Sequence, residues 1–142
     1  MFSNSFIDQS LLQSYLETEY YVHSNISVTL KIGAASPQLA ALHRTYQAES
    51  SAFITAFNPF SQTLDETGNA KRQTALLIGL QQRSLSYIGA IGQHPTNGWP
   101  GEPSFLVLGL CRAEAMLLGS QYEQNAIVWC NRDAVPELVL LR

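Results

Sequence analysis

The sequence predicts a single α+β domain, a sandwich with helices on one or both faces of a mixed sheet. Three observations carry this. Residues 52–57 (AFITAF), 105–110 (FLVLGL) and 126–130 (AIVWC) are apolar on both alternating faces, as strands covered on both sides are. Two stretches with apolar residues at helical spacing, about 64–83 and 112–123, lie between such strands. The 142 residues are 46% apolar and only 13% charged, which suits one sizeable core over 1–142 and excludes a disordered chain. From residue 52 onward the order is strand, helix, strand, strand, helix, strand. That is the split β-α-β arrangement of ferredoxin-like cores, here with an N-terminal helix-strand-helix before it and a C-terminal strand after it.

Taken in order, Asp8 can cap a first helix running to about Tyr21, with Leu12, Leu16 and Tyr20 at i, i+4 spacing and Leu11 and Tyr15 widening the stripe. Residues 26–32 (ISVTLKI) alternate cleanly and predict a strand with one wet face near a sheet edge. Ser36-Pro37 opens a helix that uses Leu39, Leu42 and Tyr46, with His43 as a partly exposed tip. The strand at 52–57 should be central. Asn58-Pro59 ends it, because proline cannot donate to the ladder, and Asp65 or Thr63 can cap the next helix, which carries Leu76, Leu77 and Leu80. A strand at 86–91 leads into a loop at 92–104, rich in proline and glycine around Trp99. After the strand at 105–110, a helix presents Ala113, Met116, Leu117 and Ser120 inward, and Gly119 allows it close to the sheet. The strand at 126–130, a turn at 131–134 and a last strand at 137–141 complete the chain.

Composition narrows the function classes. A net charge of −3 gives no electrostatic footprint for nucleic acid or an anionic membrane. The first residues lack the basic start and unbroken apolar run of a leader, so a cytoplasmic protein is expected. Cys111 and Cys130 read as two buried, reduced thiols. His23, His43 and His94 have no carboxylate or cysteine at ligand spacing, so neither a metal nor another cofactor is expected.

The split arrangement makes a geometric prediction. It gathers residues 58–63, the loop at 92–104 and the connection at 124–125 at one end of the sheet. The candidate ligand-binding residues are therefore Asn58, Ser61, Arg72, Trp99, Glu102 and Asn125. Trp99 offers a stacking surface and Glu102 an acceptor for a planar ligand. Arg72 would reach back over the turn to Glu102 or to a carbonyl of the 92–104 loop. The primary reading is a binding or interaction domain for a small polar molecule or a protein segment. The alternative is a hydrolase or transferase acting on a nucleotide-like or acyl substrate, with Ser61 or Ser104 as nucleophile and His94 as base. A structural reading pairs an edge strand, 26–32 or 137–141, into a homodimer.

The blocks FITAFNPFSQ, WPGEPSFLVLGL and QNAIVW, with PELVLL at the end, resemble a bacterial family catalogued as domain of unknown function 3293. The resemblance runs from roughly Leu11 to the C-terminus. Asn58, Pro59, Ser61, Asn69 and Arg72 match the family's pattern, while Gly68 and Cys111 stand where that pattern has acids. The resemblance implies a compact one-domain bacterial protein without an established activity.

Overall fold

A computed structural model of the chain describes residues 6–142; the first five residues of the N-terminal stretch read above lie outside it. Among the described residues, four α-helices and seven strands follow one another as α1 (Gln9–Glu17), β1 (Glu19–His23), β2 (Ser27–Leu30), α2 (Pro37–Thr45), β3 (Ser51–Ile54), α3 (Glu66–Gln82), β4 (Ser86–Gln93), β5 (Glu102–Leu108), α4 (Arg112–Gln121), β6 (Ala126–Cys130) and β7 (Pro136–Leu140). The strands form one sheet in the order β2-β1-β4-β5-β3-β6-β7.

Every neighbouring pair is antiparallel, so the sheet is not the mixed one expected. The reason lies in the crossovers. Helix α3 carries the chain from β3 to β4, but β5 lies between them; α4 carries it from β5 to β6, but β3 lies between those. Strands joined by a helix run the same way without ever being neighbours.

The alternating apolar faces of β3 bury into two layers. Phe53 joins Leu30, Leu39, Leu42, Leu106 and Val128 beneath α2, whereas Ala52 and Ile54 meet Leu76 and Leu80 of α3 and Ala115 and Leu118 of α4. Each fully buried leucine contributes about 1.5–3 kcal/mol, so both faces are anchored several times over. The sheet curls until its edges meet at one corner, where Gly33 N–H donates to Pro136 O at 2.8 Å and Ser36 N–H to Ala134 O at 3.0 Å.

Several local expectations are corrected. The first helix stops at Glu17, and residues 19–23 form a strand, because Thr18 is already extended and Tyr20 and Val22 bury on one face while pairing with both β2 and β4. Helix α4 buries Ala115, Leu118 and Gly119 and leaves Leu117 73% exposed, a stripe rotated from the one expected. Gly119 sets that phase. A Cβ there would lie 2.6 Å from Ile127 Cγ2, so only a glycine lets the helix settle on β6 in this orientation. His43 is buried, not a wet tip, and its Nε2 shares a 2.8 Å hydrogen bond with Ser51 Oγ. Cys111 is exposed rather than buried and caps α4, its sulfur accepting from Glu114 N–H while Glu114 accepts in return from Cys111 N–H at 3.1 Å. Cys130 is the buried thiol, and burial pushes its pKa up to about 12. The expected 92–104 loop is shorter, because Gly92 pairs with Glu102 and Ile91 with Pro103, which places Glu102 on a strand.

No helix among the described residues is long and apolar enough to cross a membrane.

A polar cavity at one end of the sheet

The site begins where β3 runs out. Asn58 turns into the left-handed region (φ 48°), and Phe60 and Ser61 follow it there (φ 52° and 58°). Asparagine tolerates that conformation, whereas for phenylalanine and serine it costs on the order of 1–3 kcal/mol each. Hydrogen bonds hold the turn. Asn58 N–H donates to Asn69 Oδ1 at 2.8 Å, and Asn58 Oδ1 accepts from Asn69 Nδ2 at 2.9 Å and Leu64 N–H at 3.0 Å. Phe60 N–H donates to Glu123 O at 2.6 Å, and the Arg142 guanidinium lies 4.2 Å above the Phe60 ring. Asp65 then caps α3 by accepting from Gly68 N–H at 2.7 Å.

The side-chain amide of Asn58 donates to Glu102, Nδ2 to Oε2 at 2.7 Å. Glu102 therefore faces the turn from β5. Burial pushes its pKa above the ordinary carboxyl value, and hydrogen bonds from Asn58 and Trp99 hold it partly back. No ion pair reaches Glu102 among the described residues.

Beside it stands a hydroxyl and amide triad. Tyr15 OH and Ser61 Oγ share a 2.6 Å hydrogen bond, and Asn125 Nδ2 donates to both, at 3.1 and 3.3 Å. Arg142 Nη1 donates to Asn125 Oδ1 at 3.2 Å, fixing which way the amide points. Burial raises the Tyr15 pKa. Tyr20 donates to the Tyr15 carbonyl at 2.9 Å and meets Phe53 edge to face, with ring centroids 5.0 Å apart.

Asn58, Ser61, Trp99, Glu102 and Asn125, five of the six candidates, line one cavity of about 100 Å³ walled by Tyr20, Phe53 and Tyr15. A second hollow of about 90 Å³ adjoins it across Tyr15, Ser61, Trp99 and Glu102. A larger groove of about 750 Å³ runs along edge strand β7, where Arg112 pairs with Glu137 at 3.5 Å and none of the candidates lies.

Arg72 is not on the cavity wall. Its Nε donates to Ala56 O at 2.7 Å, its Nη2 to Tyr122 O, and its Nη1 meets Glu123 Oε1 at 3.3 Å. It ties the end of β3 to the connection between α4 and β6, not to Glu102 or the loop. The serine and histidine needed for acyl transfer do not meet. His94 Nε2 bonds Glu17 Oε1 at 2.9 Å, and its Nδ1 accepts from Thr96 and Asn97 N–H. Ser104 Oγ donates to Glu102 O at 2.9 Å. No group of three or more His, Cys, Asp or Glu residues comes together among the described residues.

Three contributors are not among the candidate residues, although Asn69 matches the family's pattern. Tyr15 looks like a stripe residue of the first helix, Tyr20 like another, and Asn69 like the wet face of α3. For Asn69 a signal exists, since a polar residue one turn inside a capped helix start can return to the preceding turn.

Fold and cavity together define a class: a small antiparallel α+β domain that closes a polar, aromatic-walled cavity at one end of its sheet. Within that class the chain belongs to the family described as protein of unknown function (DUF3293), whose profile matches residues 54–127. The matched span begins on the last residue of β3 and contains all six candidate residues. No curated protein and no solved structure matches the chain.

Proposed function

We propose that the protein is a binding domain for a small polar molecule, held in the cavity between Asn58, Ser61, Trp99, Glu102 and Asn125. The observation that carries this is convergence. Residues from the β3 turn, the 94–101 loop, the start of β5 and the start of β6 line one partly open space, with their polar groups bonded to one another around it. The turn at the rim is strained, with Phe60 and Ser61 in the left-handed region, as residues at ligand sites often are. The cavity is smaller than the 300–1,000 Å³ usual for a whole ligand, so it suits the polar head of one, with the adjoining hollow for the rest.

Two finer readings go with this. The order β4-β5-β3-β6, with α3 and α4 packed on the same face, supports a ferredoxin-like core to which the β1-β2 hairpin, α2 and β7 are additions. An exposed free thiol at Cys111 supports a reducing, cytoplasmic setting.

The test is a chemically mixed fragment library observed by protein NMR. Hits should shift the backbone amides of Asn58, Ser61, Glu102 and Asn125 and the Trp99 indole together. Ser104→Leu, which puts apolar volume into the cavity, should abolish those shifts. Shifts scattered over the surface, or unchanged in Ser104→Leu, would sink the proposal.

A further inference from the structure

We infer that the ligand is a compact organic cation: an ammonium group that donates to Glu102, on a short carbon body that lies against Trp99 and Tyr20. This rests on the cavity being a binding site and adds the chemical class of what enters it.

Glu102 is the one charged residue among those lining the cavity; the others are neutral amides, hydroxyls, aliphatic groups and four aromatic rings. A carboxylate has about four lone-pair positions, and Asn58 Nδ2 fills one of them at 2.7 Å with the Trp99 side chain beside it, which leaves capacity for a ligand's N–H groups. Burying a carboxylate without a cation is unfavourable, and that burial is what raises the Glu102 pKa. An ammonium entering the cavity would offset this cost and lie near the negative faces of the rings, where a desolvated cation is attracted.

An anion fits poorly. Arg142, a basic group bonded to the wall residue Asn125, is turned to Asn125 Oδ1 and to the Phe60 ring and is not among the residues lining the cavity. In the adjoining hollow His94 is bonded to Glu17. The remaining titratable groups that face Glu102 are Tyr15 and Tyr20, uncharged at neutral pH, with burial pushing both pKa values further up. At about 30 Å³ per water, the cavity has room for about three waters, the size of an ammonium head with two or three carbons, and the adjoining hollow of about 90 Å³ takes the end of a four-carbon chain.

Three probes of matched shape separate the alternatives: n-butylammonium, 1-butanol and butyrate, titrated into the full chain at neutral pH and followed by the Trp99 indole N–H resonance. Trp129 serves as an internal control, since its indole is fixed to Leu110 O at 2.9 Å away from the cavity. Butylammonium should bind at least about tenfold tighter than butanol, and butyrate more weakly than either. Glu102→Gln should level the ammonium with the alcohol; if that variant does not fold, Glu102→Asp should reduce the preference, and the wild-type series stands without either. Butanol or butyrate equalling the ammonium at the same residues would overturn the cation assignment and leave the binding site in place. No response of Trp99 to any probe would overturn the cation assignment together with the site.

Discussion

Asn58 and Asn69 hold each other by two hydrogen bonds of opposite sense, the backbone N–H of Asn58 to the side-chain Oδ1 of Asn69 at 2.8 Å and Asn69 Nδ2 back to the side-chain Oδ1 of Asn58 at 2.9 Å. Both residues are buried. The pair fixes a left-handed turn to the first turns of α3 and leaves Asn58 Nδ2 free to aim at Glu102. Asn69→Ala strips a buried N–H of its acceptor, which costs about 1–3 kcal/mol. We expect a loss of about 2–3 kcal/mol in urea unfolding, with the turn's amide exchange accelerated. A loss under about 0.5 kcal/mol, the range of ordinary surface changes, would remove the turn's principal anchor from this account.

Arg72 makes the second tie, to Ala56 O, Tyr122 O and the Glu123 carboxylate, with its side chain 23% exposed. Arg72→Ala should cost about 1.5–3 kcal/mol through charge-assisted bonds to carbonyls that then lack donors. Arg72→Lys should recover little of it, because one ammonium cannot span positions served by a planar fork. Limited proteolysis within 94–101 should be unchanged, since the arginine does not touch that loop; accelerated cleavage there would contradict the contacts described.

Strand β3 was readable because Ala52, Phe53 and Ile54 are apolar on both alternating faces, a pattern only a doubly covered strand needs. The polar residues next to strand ends, Asn58, Ser61, Glu102 and Asn125, were readable as one group because strand direction alone brings them to the same end. Residues 19–23 were not, since Tyr20 satisfies a helical spacing with Leu16 as well as a strand alternation with Val22, and pairing with β4 decides between them. Tyr15 was invisible for a related reason: its hydroxyl meets Ser61, 46 residues on, and nothing local announces that. The direction of Arg72 depended on where the chain passes after α4, which spacing does not fix.

Glu102 gives a pH prediction. Its folded pKa lies above the ordinary value of 4.5, so the folded chain holds that proton more tightly than the unfolded one. Its contribution is most favourable below about pH 4.5, declines as pH rises toward the raised folded value, and is flat and unfavourable above it. Glu102→Gln keeps an acceptor for Asn58 and buries no charge. The stability of wild type minus that of the variant should therefore fall from pH 4 to 8 in urea titrations. A difference that is constant, or that grows in favour of wild type, would mean that Glu102 is solvated or already paired.

Gly119 tests how α4 is seated. Alanine favours a helix over glycine by about 1 kcal/mol, but its Cβ would lie 2.6 Å from Ile127 Cγ2 and 2.7 Å from Leu141 Cδ1. Overpacking of this kind costs about 1–3 kcal/mol, so Gly119→Ala should lower the unfolding midpoint. A raised midpoint would show that the helix does not approach β6 as closely as described.

The most direct measurement is a crystal of the full chain soaked with n-butylammonium, compared with Ser104→Leu treated identically. Density is expected in the cavity bounded by Tyr15, Ser61, Trp99 and Glu102, with the nitrogen about 2.7–2.9 Å from the Glu102 carboxylate, and none in the variant. Density for the probe only on the outer surface, with the cavity holding water alone in both proteins, would contradict it.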